Sequence, residues 1–227
     1  AHAYHARVYV TVNTIIFDSE LKEVQELINQ IYNAGADAII IQDFAILAMD
    51  IPPIAIHAST QMHNTDPNHI NFLEKNGVSR IVLPRELNLG EISNIRSKTK
   101  AELEFFVHGA LCVSYSGQCY MSYLLSGRSA NRGACAQPCR LAYDLVDETG
   151  NVLVKNKHLL SLKDLNLSSH LANLIGAGIT SFKIEGRLKD VAYVKNITAH
   201  YSNLLNQFIS LNSQYKRASS GKCSYSF

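Results

Sequence analysis

Apolar residues along this 227-residue chain follow two alternating rhythms. Short β-branched or continuously apolar runs read as strands, and stretches with apolar residues at three- and four-residue spacing read as helices. "RVYVTVN" (7–13) predicts a strand, and the segment after it carries Leu21, Val24, Leu27, Ile28 and Ile31 at helical spacing, with Gly35 as the stop. "DAIIIQD" (37–43) is apolar throughout, as in a strand buried on both faces. A short helix over "FAILAMD" is halted by Pro52 and Pro53. Strand "IAIHAST" (54–60), helix 66–77, strand "SRIVLPRE" (79–86), helix 88–99 and strand 101–109 follow. Then the rhythm breaks for a long loop over 108–143. A hairpin over 143–155 turns at Thr149, Gly150 and Asn151. A helix over 161–178, strand "TSFKIEGR" (180–187) and a helix over 190–209 complete the series.

About six βα units imply a parallel α/β sheet with right-handed crossovers. That number fits a doubly wound sheet or part of an eight-stranded barrel. No GxGxxG or P-loop run follows any strand, which weighs against a nucleotide-binding doubly wound fold. Polar residues also gather where strands end: Asn13, Gln42 and Asp43, Ser59 to Gln61, Arg85 and Glu86, His108, and Glu185 to Arg187. Such convergence is what a barrel active site requires. The expected fold is therefore an incomplete (β/α)8 TIM-type barrel over residues 1–209, with 210–227 opening a following segment.

Composition adds little beyond a globular class. Hydrophobic residues make up 47% and charged residues 18%, and the net charge of +2 names no partner. No apolar run approaches the ~18 residues of a membrane span, and no secretory signal is visible, so a cytoplasmic site of action is expected. The chain has no initiator Met and starts almost at once on a strand, as a piece of a longer protein would.

The cysteines change the picture. Four of five lie in "HGALCVSYSGQCYMSYLLSGRSANRGACAQPCRLAY" (108–143), which has no acidic residue and includes Arg128, Arg132 and Arg140. Clustered thiols suit a metal or redox site in a reducing compartment better than a disulfide framework. The spacing Cys112-x6-Cys119-x15-Cys135-x3-Cys139 lacks the tight CxxC knuckles of zinc ribbons. Four thiolates from one loop suit a [4Fe–4S] cluster, with zinc as the alternative. The arginines offset thiolate charge or hold an anionic substrate. Cys223 lies outside the motif and has no assigned role.

"EFFVHGALCVSYSGQCYMS" (104–122) resembles the signature of the peptidase U32 family through Glu104, Phe106, Gly109 to Cys112, Gly117, Cys119, Met121 and Ser122. "GRSANRGACAQPCR", "SFKIEGRLK", "VYVTVN", "HASTQ" and "LPREL" are similar to that family as well. The resemblance implies a (β/α)8 barrel whose third strand is "RVYVTVN", so that two βα units precede this chain. A second copy that completes the barrel would make an oligomer.

Named for collagenase-like proteolysis, the family includes oxygen-independent hydroxylases of a tRNA wobble uridine, of a 23S rRNA cytidine and of the ubiquinone ring. By resemblance the chain is expected to be an RNA hydroxylase with a [4Fe–4S] cluster on Cys112, Cys119, Cys135 and Cys139 and a small anionic, prephenate-type hydroxyl donor. "HLLSLKDL" and "FKIEGRLKD" look more like the rRNA branch. Collagenase-like proteolysis is the alternative, although no HExxH or GxSxG is present. By position, His108 and Glu185 are candidate acid–base groups, and Arg85, Arg128, Arg132, Arg140 and Arg187 candidate substrate-binding groups. His57 and His63 read as structural. Tyr115 and Tyr120 read as stacking platforms for a base or as packing residues.

Overall fold

The computed structural model describes residues 1–217. Six strands, β1 (Tyr9–Val12), β2 (Ala38–Ile41), β3 (Ala55–Ala58), β4 (Val78–Val82), β5 (Glu102–Gly109) and β9 (Ser181–Ile184), lie side by side in that order, every neighbouring pair parallel. Helices alternate with them: α1 (Leu21–Asn33), α2 (Ala45–Ala48), α3 (Pro67–Lys75), α4 (Leu89–Arg96), α6 (Leu171–Gly176) and α7 (Val191–Leu211). The result is a mostly parallel sheet curled into a half-barrel, as the alternation predicts. Among the described residues, no helix is long and apolar enough to cross a membrane.

Local chemistry sets the helix starts. Asp66 accepts the Asn68 N–H ahead of Pro67 at the first helical position of α3. At α4, Asn88 and Glu91 form a capping box, each side chain accepting the other's backbone N–H at 3.0 and 2.7 Å. Asp190 caps α7 through the Tyr193 N–H at 2.7 Å. These caps leave the strand-to-helix loops free to present side chains rather than close helices.

The two faces of the sheet differ in kind. Ile39, Ile41, Ala58, Ile81, Leu83, Leu103, Phe105 and Val107 pack with Ile28, Ile70, Leu73, Ile92 and Leu174 of the helices into one apolar core. On the alternate positions, toward the barrel interior, β4, β5 and β9 carry Arg80, Glu104 and Lys183. Arg80 reaches Glu102 at 2.6 Å and Glu104 at 3.3 Å, and Lys183 reaches Glu104 at 2.7 Å. Ser181 Oγ donates a further hydrogen bond to Glu104 at 2.8 Å. Burial pushes the Glu104 carboxyl up, but Lys183, Ser181 and Arg80 together hold it below its ordinary range.

The structure departs from the sequence expectation over 161–178. The helix starts only at Leu171; Leu165–Asn166 instead forms β8, antiparallel to His108–Gly109 at the end of β5. Asn166 Oδ1 accepts the Ser168 N–H and hydroxyl at 3.1 and 2.8 Å, and this local turn competes with helix continuation. The hairpin forms as expected from β6 (Tyr143–Val146) and β7 (Val152–Lys157). Asp147 organises its turn by accepting from the backbone of Thr149 and Asn151. Helix α7 runs through the expected boundary at 209, while Cys223 and residues 218–227 of the expected following segment lie outside the described residues.

Candidate functional site

The cysteine loop leaves β5 and lies over the C-terminal ends of the strands. It carries one short helix, α5 (Met121–Ser126), and is tied to the barrel at three places. Beyond β4, Glu86 accepts the Ser116 N–H at 2.9 Å and its hydroxyl at 3.2 Å. Beyond β3, Thr60 reaches the same hydroxyl at 3.2 Å, and the backbone of Gly117 passes so close to the Gln61 carbonyl that a Cβ would collide with it. Gly117 also has φ 74, a conformation that L side chains rarely adopt. Beyond β1, the Ile15 N–H donates to Asn131 and Arg132 donates to the Ile15 carbonyl at 2.6 Å.

Inside the loop the bonds are mostly from side chain to backbone. Ser122, fully buried, donates to the Arg128 carbonyl at 2.6 Å and accepts the Ala136 N–H at 2.9 Å. Arg128 donates to the carbonyls of Ala134 and Cys135 at 3.1 and 3.5 Å. Arg140 binds the Leu111 carbonyl at 2.6 Å, and Ser161 Oγ and the Leu162 carbonyl each at 2.8 Å. Arg132 forms two hydrogen bonds to Glu20, at 2.6 and 3.0 Å, and lies over the Phe17 ring. The arginines expected to meet a ligand thus divide: Arg128, Arg132 and Arg140 have acceptors in the protein. Arg187 is exposed, and its backbone N–H donates to Glu185.

Arg85 differs. Its guanidinium carbon sits 3.5 Å from the centroid of the Phe106 ring, and its one hydrogen bond among the described residues is to Glu185, at 3.5 Å. Burial pulls its pKa down, while Glu185 and Cys112 oppose that shift.

All four loop cysteines are free thiols. Burial pushes the Cys139 thiol up and Cys112 adds to this; Arg140 pulls the other way, and Cys135 and Cys119 push up again. Each of the other three thiols thus bears on Cys139. Among the described residues, no three His, Cys, Asp or Glu side chains converge closely enough to hold a single metal ion. A cluster binds one thiolate at each of four irons. This donor set, pure thiolate with arginine nearby, fits a cluster.

His108 and Glu185 do not meet. A bulge between Phe106 and His108 pairs His108 with Ile184, which packs against the helix-side core. The His108 ring lies 5.7 Å from that of Tyr201 on α7, with Nδ1 3.4 Å from the hydroxyl, and 6.1 Å from that of Tyr193. Burial lowers its pKa. Glu185 stays at the mouth beside Arg85, and Gly109 brings the loop against it, since a Cβ there would sit 2.6 Å from the Glu185 carbonyl. His57 is buried inside the barrel edge-on to Tyr9, and His63 packs edge-on to Tyr115. Tyr115 and Tyr120 are 67% and 66% exposed, which leaves their faces open to a partner.

The sequence reading gave no role to Ser116 or Lys183, and took Phe106 only as a position of the family signature. Lys183 and Glu104 carried a signal: a charge at every second position of an otherwise apolar strand places it on the face away from the helices. Ser116 carried none, because its role depends on where the loop lands.

The sequence model of peptidase family U32 matches residues 1–224. The chain belongs to peptidase family U32. It is 53% identical over 227 residues to the 23S rRNA 5-hydroxycytidine synthase of Escherichia coli, covering 100% of this chain and 35% of that protein. It is 38% identical over 231 residues to tRNA hydroxylation protein P of Helicobacter pylori, covering 92% of this chain and 53% of that protein. A collagenase of Porphyromonas gingivalis is 32% identical over 215 residues, with 88% and 51% covered. The chain therefore spans between about a third and a half of the length of these relatives.

Proposed function

We propose that this U32 chain is the cluster-bearing part of a cytoplasmic RNA hydroxylase that modifies a cytidine of 23S rRNA. The observation that carries the reading is a loop with four free thiols, laid over the strand ends of a half-barrel. The 53% identity to an rRNA hydroxycytidine synthase, against 38% to a tRNA hydroxylation protein, favours rRNA as the target. Cys112, Cys119, Cys135 and Cys139 would hold a [4Fe–4S] cluster, which supplies one-electron chemistry or an iron site for an oxygen-bearing ligand.

The chain's own residues orient the reaction. Glu86, Ser116 and Thr60 fix the loop over β3 and β4, and Arg132 and Glu20 fix its far side over β1. Arg85 and Glu185 lie at the mouth under the loop, placed to meet a small anionic donor of the prephenate type. Exposed Tyr115 and Tyr120 of the loop offer flat surfaces for an unstacked base.

Proteolysis is supported by the family's name and by relatives named as a protease or collagenase. Activating a nucleophile needs a base within hydrogen-bonding reach. Among the described residues, no hydrogen bond joins a Cys, Ser or Thr side chain to a histidine ring, the His108 and His158 contacts being to Tyr201 and to the Arg140 carbonyl.

Mass spectrometry of nucleosides from 23S rRNA tests the reading. A strain lacking the full-length gene should lose one hydroxycytidine and regain it with the wild-type protein, but not with Cys119→Ser. Intact hydroxycytidine in the deletion strain would refute it.

A further inference from the structure

The arginines around the cysteine loop are not equivalent, and the difference singles out one of them. A guanidinium carries five N–H donors in a planar fork. Arg140 spends its fork on two carbonyls and a hydroxyl, Arg132 on a carboxylate and a carbonyl, and Arg128 on two carbonyls. In the barrel interior, Arg80 donates to both Glu102 and Glu104. Arg80, Arg132 and Arg140 have most of their donors engaged within the protein, while Arg128, with two engaged, lies exposed.

Arg85 is more enclosed than Arg128 or Arg132, with its side chain 16% exposed, yet among the described residues it makes a single hydrogen bond at the outer limit of length. Stacking on Phe106 fixes its plane, with the guanidinium carbon 3.5 Å from the ring centroid. A rigid fork with unspent donors is arranged for a planar, two-oxygen acceptor. Its one partner, Glu185, is itself held on the other oxygen by the Arg187 N–H at 3.1 Å. Glu185 therefore keeps its place and supplies a counter-charge without closing the fork. The depth of Arg85 beneath the loop favours a small acid over the bulky phosphates of a polynucleotide.

We propose that Arg85 is the carboxylate-binding residue of this mouth, holding a small organic acid between Phe106 and the cysteine loop, with Glu185 as the internal carboxylate it competes with. This deepens the hydroxylase reading and rests on its need for a small anionic donor.

The test is calorimetric titration of the full-length protein with prephenate, and with inorganic phosphate as a contrasting anion. RNA binding is measured separately on an oligonucleotide carrying the target cytidine. Arg85→Gln should weaken prephenate binding by about 10- to 100-fold, the loss of a charged bidentate contact. Arg85→Lys, which keeps charge but not the fork, should fall between. Glu185→Gln should tighten prephenate binding, an effect that a merely structural Arg85 does not produce, and one that can be read even if Arg85→Gln fails to fold. RNA affinity should stay within about twofold in all three. Wild-type protein that fails to bind prephenate, or equal prephenate affinity in Arg85→Gln and wild type, would overturn the assignment. So would loss of RNA or phosphate binding with prephenate binding intact. Failure of the hydroxylase reading looks different: prephenate binding would still depend on Arg85, but no variant, nor the wild type, would hydroxylate RNA.

Discussion

In β5, Leu103 and Val107 are wholly buried against the helices; in α5, some twenty residues further on, Leu124 is 84% exposed and Tyr123 and Leu125 are exposed with it. The wall of the half-barrel is held by apolar burial on its helix side and by ion pairs inside. The cysteine loop has almost no core of its own. It is pinned by guanidinium and hydroxyl bonds to carbonyls, most of them near the surface. Apolar burial is cooperative and holds the wall in one arrangement. Polar pins add about 0.5–1.5 kcal/mol each, more when charged, and can fail one at a time. The loop is therefore the part of the chain whose final shape a bound cofactor can still set.

The largest effect should come from breaking the wall's interior charges. Glu104→Gln leaves Lys183 and Arg80 facing a neutral group in a buried setting, and should destabilise by about 3–5 kcal/mol. Urea unfolding of the 227-residue chain measures this; a loss under 1 kcal/mol would mean that the interior is well solvated.

The next effect depends on pH. Burial, with Arg80 adding to it, lowers the His57 pKa to about 4. Unfolded, the ring titrates near 6.5. As pH falls from about 6.5 toward 4, the unfolded chain binds a proton that the folded chain refuses, so stability declines through that window by roughly 3 kcal/mol. Glu104, held below its ordinary range, adds a loss at lower pH still. His57→Phe should flatten the decline between pH 6.5 and 4.5 while leaving the Glu104 part; an unchanged slope would place the proton elsewhere.

The smallest effect on the whole should be the most selective. Arg140→Ala removes three hydrogen bonds from a guanidinium and should cost the loop about 1.5–3 kcal/mol. Amide exchange in peptides from 108–143 should quicken by 10-fold or more by that estimate, with peptides from β2 to β4 unaffected. Equal quickening in both would mean that loop and wall unfold together.

Legibility in the sequence divides along the same line. The wall was readable because its strands and helices follow fixed periods, and "DAIIIQD" is indeed a strand buried on both faces. Strand ends were also readable as the mouth, since Gln61, Arg85, Glu86 and Glu185 all meet the loop or each other there. The helix expected from 161 failed because Asn166 offers the backbone a competing turn, which no count of apolar spacing registers. His108 could not be placed because one extra residue in β5 turned it toward α7, and a bulge leaves no mark on alternation. The arginines were found as a group, but whether each meets a carbonyl, a carboxylate or open space depends on the path of the loop, which has no period to read.

Iron and sulfide content of the full-length protein, purified without oxygen, tests the central claim most directly. The account predicts about four irons and four labile sulfides per chain. Cys112→Ser should abolish them and quicken amide exchange in 108–143, while β2 to β4 exchange as before. A colourless protein with one equivalent of zinc, or a cluster that survives the loss of Cys112, would contradict it.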